Sequence, residues 1–204
     1  MFGLIRAVII IAFVLVASVV VLKGFCLKSS KIGQYAFLLG IMMLSFVISI
    51  FPIENVFYTF DSPEKVYKYM SFKNTEIDTL VEGDKCDYII GKTTNEKEFS
   101  VMVIPKTDSG YKIGIGLKTK TRTIVGGLPD GCMVLTIEYG EDLFAEISFL
   151  SPGTHEVTSN EDGTFTVRKF TTSEGEEFFE CYIHISDKEN FKLYIDGTEI
   201  DVIR

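Results

Sequence analysis

Ile32 to Ile53 reads IGQYAFLLGIMMLSFVISIFPI, a run with no charged side chain. At about 1.5 Å of rise per residue it is long enough, as a helix, to cross the ~30 Å hydrocarbon core of a bilayer. A second run, Ala7 to Leu22 (AVIIIAFVLVASVVVL), is also free of charge. Met1 to Ile5 extend it beyond Arg6, whose long stem can reach an interface. In lipid the backbone must satisfy its own polar groups, so both runs are expected to be helices. Residues 1–53 therefore read as a membrane hairpin with spans at about 4–22 and 32–53. No A-x-A site follows the first run, which argues against a cleaved signal peptide.

Orientation follows the lysines of the short connecting loop. KGFCLKSSK holds Lys23, Lys28 and Lys31 and no acid, whereas Glu54, Asp61 and Glu64 follow the second run. The loop is expected in the cytoplasm and the C-terminal part outside, in a two-span, multi-pass cell-membrane protein. Phe51, Phe57, Tyr58 and Phe60 then fall where an interfacial aromatic belt would form.

Residues 54–74 read as a linker. In DSPEKVYKYM, Ser62 is placed to cap a helix, Pro63 suits its first position and Glu64 its first turn, which predicts a short helix over 63–70. From Thr75 to Arg204 the period changes to two. Phe179, Cys181, Ile183 and Ile185 alternate with Glu180, Tyr182 and His184, and Leu143, Ala145, Ile147 and Phe149 alternate with Glu146 and Ser148. Turn residues recur throughout, and Asp196-Gly197 carries the strongest hairpin signal, a type I′ turn. The expected fold class is thus a membrane α-helical hairpin, one short helix, and a mainly-β antiparallel meander domain of nine or ten strands, a sandwich or curled sheet. Phe149, Cys181, Ile183, Ile185 and Leu193 are expected to share one core, with Glu180, Tyr182 and His184 on the outer face.

Charge is divided unevenly. The first 53 residues hold Arg6 and three lysines with no acid, and the whole chain is −8, so the remainder carries −12. Such a domain repels nucleic acid. Its one basic ridge combines Lys118, Lys120 and Arg122, alternating in LKTKTRT, with Lys106 and Lys112. This ridge is the candidate contact for the lipid bilayer, an anionic cell-wall polymer or an acidic protein, unless it only guards a sheet edge.

No motif names a reaction. Cys26, Cys86, Cys132 and Cys181 show no CxxC spacing, and a disulfide among the last three stays open. His155 and His184 have no ligand spacing, Gly114 and Gly116 lack the strand-turn-helix setting of a phosphate loop, and Ser29, Ser30 and Lys31 lack a pocket. No catalytic, cofactor or metal residue is assigned. The expected role is a membrane-anchored extracytoplasmic binding or accessory module and not an enzyme. The alternatives are an envelope-acting enzyme with a hidden site and a signalling accessory protein.

FPIENVFYTFDSPEKVYKYM (Phe51 to Met70), VEGDKCDYIIG (Val81 to Gly91), IPKTDSGYKIG (Ile104 to Gly114) and FKLYIDGTEI (Phe191 to Ile200) resemble segments of uncharacterised small membrane proteins of Gram-positive bacteria. Where those proteins often have Gly-Trp-Lys-Ile, this chain has Gly110-Tyr111-Lys112-Ile113. The resemblance implies an envelope protein with an outward β domain, and it brings no activity and no functional residues.

Overall fold

The computed structural model describes residues 8, 11–12, 14–16, 18–19, 31–52, 54–71, 75–93, 99–124, 128, 131–149, 155–161, 165–171 and 177–202. It corrects the expected fold class, because among these residues no helix is long and apolar enough to cross a membrane. The two-span hairpin, and the cell-membrane location and inside-outside topology built on it, fall with that finding. An apolar run says what a helix would bury, not how far the helix continues. Helix α1 (Lys31–Ile50) ends before Pro52, which has no N–H to extend it, and Lys31 and Gln34 stand in its first turn. Much of the first run and all of residues 20–30, with Lys23, Cys26, Lys28, Ser29 and Ser30, lie outside the described residues.

Beyond α1 and a single helical turn, α2 (Glu54–Phe57), the chain builds a layered β structure. Strands β1 (Thr75–Glu82), β2 (Cys86–Thr93), β3 (Phe99–Thr107) and β4 (Gly110–Tyr111) form one antiparallel sheet in chain order. Strands β5 (Thr119–Ile124), β6 (Cys132–Tyr139), β7 (Asp142–Phe149), β9 (Thr166–Thr171) and β10 (Glu177–Ile185) form a second sheet in the order β5-β6-β7-β10-β9. A third, small sheet joins β8 (Val157–Ser159), β11 (Leu193–Ile195) and β12 (Thr198–Ile200). The antiparallel, sandwich-like character is as expected. The strict meander is not, since β8 leaves the second sheet and β9 returns to pair beyond β10.

The five-stranded sheet is covered on both faces. Phe149, Cys181, Ile183, Ile185 and Leu193 do share a core, closed by Ile195, Ile200 and Val202 from the small sheet and the chain beyond it. On the opposite face Ile137, Phe144 and Tyr182 pack against Val81, Cys86, Tyr88, Ile90 and Val103 of the first sheet. The expected outer face of β10 is therefore an interior surface: Glu180 and Tyr182 are buried and His184 is half-buried. Strand β7 is buried at every described position except Glu146, as befits a central strand with two covered faces.

The helix predicted over 63–70 is present as α3 (Pro63–Met70), with Ser62 Oγ accepting from the Lys65 amide. It is not a spacer. Val66 and Tyr67 are fully buried and pack on the outer face of the first sheet with Phe60, Ile89, Ile104 and Ile113. The Tyr67 hydroxyl lies 2.6 Å from Ser100 Oγ. Gly91 makes this approach possible, because a Cβ built there would collide with the Tyr67 phenol. Gly91→Ala is expected to cost about 1–3 kcal/mol through overpacking, read as a lower urea midpoint. In a Tyr67→Ala background, where the ring is absent, the added loss should shrink.

The expected aromatic belt divides. Phe51, Phe57 and Tyr58 are exposed, but Phe60 is buried and pairs with Tyr111 through two backbone hydrogen bonds of 2.9 and 2.8 Å. The hairpin signal at the far end holds: Asp196 and Gly197 have φ of 52° and 75°, both positive as a type I′ turn requires.

Candidate functional sites

The basic ridge separates into two parts with different roles. Lys106 Nζ lies 2.7 Å from Asp87 Oδ1 and donates to the Gly83 carbonyl, which ties β3 to the β1–β2 turn. Lys112 Nζ donates to the carbonyls of Asn55 and Tyr58 at 2.8 and 2.7 Å, while the Asn55 amide pairs with both Ile113 backbone groups. These two lysines hold structure together. Lys118, Lys120 and Arg122 remain exposed, beside and along β5, where Lys120 to Thr123 all face solvent. Among the described residues strand β5 pairs only with β6, so its other edge presents backbone donors and acceptors.

A cleft of about 340 Å³ opens there, lined among others by Lys120, Arg122, Lys188, Thr136, Glu138 and Leu143. Lys120 and Lys188 reach opposite oxygens of Glu138 at 3.6 and 3.3 Å. One carboxylate thus holds two ammonium groups at the rim, and the guanidinium of Arg122 adds a third cation to the lining.

A second place brings together residues that no local spacing connects. Asp142, at the start of β7, is buried and accepts from the backbone amides of Asp84, Lys85 and Cys86 at 3.2, 2.7 and 2.6 Å. His184 Nε2, from β10, lies 3.0 Å from Asp142 Oδ1, and its ring tilts against Phe144. Burial pushes the Asp142 carboxyl up, but hydrogen bonds from Cys86, Lys85 and His184 outweigh that and hold it below its ordinary value. The Cys86 thiol is pushed up strongly by burial, then by its bond to the Asp142 carboxylate, so it is no nucleophile. Asp84 is exposed, and a donor atom of each of Asp84, Asp142 and His184 falls within 4.8 Å of the others. His184 also lines an open cleft of about 780 Å³ with Glu82, Glu161 and Asp187.

A third polar group is closed between the sheets. Arg168 on β9 pairs with Asp78 on β1 and, at 2.8 Å, with Glu180 on β10. Tyr182 also donates to Glu180, and Tyr88 donates to Glu146 at 3.3 Å. Burial, then the neighbouring Glu180 charge, raises the Glu146 carboxyl. Asp78 has no partner in the β1–β2 register, where a bulge lies between Ile77 and Thr79. That bulge turns its carboxylate toward Arg168. Arg168 bridges carboxylates on two strands, and Lys92 adds a second cation 3.6 Å from Asp78, so this group acts as a clasp between layers.

The remaining sequence candidates resolve simply. His155 Nδ1 sits 2.6 Å from Asp196 Oδ2, away from any metal-ligand group among the described residues, and steadies the β11–β12 turn. Gly114 lies where a Cβ would strike the Val103 carbonyl, and Gly116 faces open space, so neither builds a phosphate cradle. Cys86, Cys132 and Cys181 are free thiols. The Asp84, Asp142 and His184 group is the site that sequence reasoning missed, because its members come from one turn and two strands more than forty residues apart. Comparison with known protein families, with curated proteins and with solved structures finds no match to this chain.

Proposed function

We propose that this chain is a non-catalytic binding module that takes an acidic, extended peptide segment along the edge of β5. The observation that carries the reading is the exposed edge of β5, unpaired among the described residues, with Lys120, Arg122 and Lys188 lining its cleft and Lys118 exposed just before the strand. An added strand draws affinity from main-chain hydrogen bonds and specificity from side chains at alternate positions. Alternating cations repel a second copy of the same strand and suit a partner with alternating carboxylates. The buried polar groups support a binding role as well: burial and the Asp142 carboxylate push the Cys86 thiol up, and Asp142 and Glu180 are engaged by the fold.

Fluorescence anisotropy with a labelled peptide of alternating Glu and Thr, beside one of alternating Lys and Thr, tests this. The acidic peptide is expected to bind and the basic one not to. Exposed ion pairs contribute only about 0.2–1 kcal/mol each, so binding should weaken steadily with added salt. The double reversal Lys120→Glu with Arg122→Glu should weaken it about tenfold or more. Equal binding of both peptides, or an unchanged affinity in the double variant, would overturn the proposal.

A further inference from the structure

We propose that Asp84, Asp142 and His184 form a binding site for a divalent first-row transition-metal ion. This is independent of the β5 reading, since none of the three residues touches that cleft. One imidazole nitrogen and two carboxylates make a mixed donor set that suits zinc, cobalt or manganese better than calcium or magnesium, which prefer oxygen alone.

The geometry is close to what such an ion needs. Donors at about 2.1 Å from a tetrahedral ion stand about 3.4 Å apart. His184 Nε2 and Asp142 Oδ1 are already 3.0 Å apart. Asp84 is exposed and can rotate to close the rest of the gap. With the imidazole proton on Nδ1, the Nε2 lone pair faces Asp142 Oδ1, and a cation there takes the place of the shared proton.

The support around the site is also in place. Asp142 Oδ2 is fixed by the Lys85 and Cys86 amides, and Oδ1, which takes the Asp84 amide at 3.2 Å, is the oxygen aimed at His184. Such outer bonds orient a ligating carboxylate. The Phe144 ring, 5.2 Å from the imidazole centroid, holds the His184 ring from the side. The nearby Lys106 is neutralised by Asp87, so its charge does not oppose a cation. The open cleft beside His184, with Glu82 and Glu161 on its walls, gives an ion and its waters a way in.

The experiment uses the full chain, stripped with a chelator and titrated with Zn²⁺ by calorimetry. One ion per chain is expected, and Co²⁺ at the same site should give visible absorption bands that Zn²⁺ abolishes. On Zn²⁺ addition the ring nitrogens of His184 should move in an NMR spectrum while those of His155 stay. His184→Gln and Asp84→Asn should each weaken binding about tenfold or more, and His155→Gln should leave it unchanged. Asp84 is exposed, so Asp84→Asn stands as the decisive variant if His184→Gln fails to fold. Absence of one-to-one binding, or unchanged binding in Asp84→Asn, would overturn the site. So would an NMR response confined to His155.

Discussion

Replacing Arg168 with alanine is expected to destabilise the fold by about 3–5 kcal/mol, the typical cost of leaving a buried ion without its partner. Its side chain is only 8 % exposed, and those of Glu180 and Asp78 are 12 % and 19 % exposed. Removing the guanidinium leaves Glu180 without its cation beside Glu146, whose own carboxyl is raised by burial and by Glu180, and leaves Asp78 to Lys92 at 3.6 Å. Three acids would then share one poorly solvated layer. The loss comes from that repulsion and desolvation, not from the strength of either ion pair. Glu180→Gln should therefore recover part of the stability in the Arg168→Ala background although it is destabilising alone. Urea unfolding of the four proteins in this cycle measures the coupling, and simple additivity of the two single losses would sink the account.

The same cluster shows what a sequence can and cannot convey. Alternation in EFFECYIHI places Cys181, Ile183 and Ile185 on one side and Glu180, Tyr182 and His184 on the other, and the strand has that geometry. Period two separates two faces but says nothing of what covers each. A Glu paired with a buried Arg looks, in sequence, like a Glu in water. The bulge that aims Asp78 at Arg168 leaves no mark in TEIDTLVE either.

Local chemistry is easier to read. Ser62-Pro63 and Asp196-Gly197 act through bonds and dihedrals within a few residues, and both signals hold. The apolar runs mislead because hydropathy marks what a segment could bury and not the structure that it takes, and among the described residues no helix is long and apolar enough to cross a membrane. The basic ridge is half legible. Lys120 and Arg122 alternate along β5 and Lys118 is exposed in the turn before it, whereas Lys106 and Lys112 meet partners some twenty and more than fifty residues away. The metal-site candidate is beyond reach for the same reason, being assembled by the stacking of two sheets.

Asp142→Ala is expected to have the second large effect, about 2–4 kcal/mol. The carboxylate accepts three successive amides of the β1–β2 turn as well as His184, and each buried donor left without a partner costs about 1–3 kcal/mol. Water reaches the exposed Asp84 and Lys85, so part of the loss is recovered there, but the Cys86 amide belongs to a fully buried residue. The pH dependence has a definite sign. A carboxyl held below its unfolded value stabilises the fold at pH above the ordinary carboxylate range, and that contribution is lost as pH falls through the lowered value. The native chain should therefore lose stability on acidification more steeply than Asp142→Ala, and the two curves should converge in acid. Melting temperatures of both proteins from neutral pH down to about pH 2–3 check this. Parallel curves would mean that Asp142 is held by packing alone, and that its charge is not what fastens the β1–β2 turn to the five-stranded sheet.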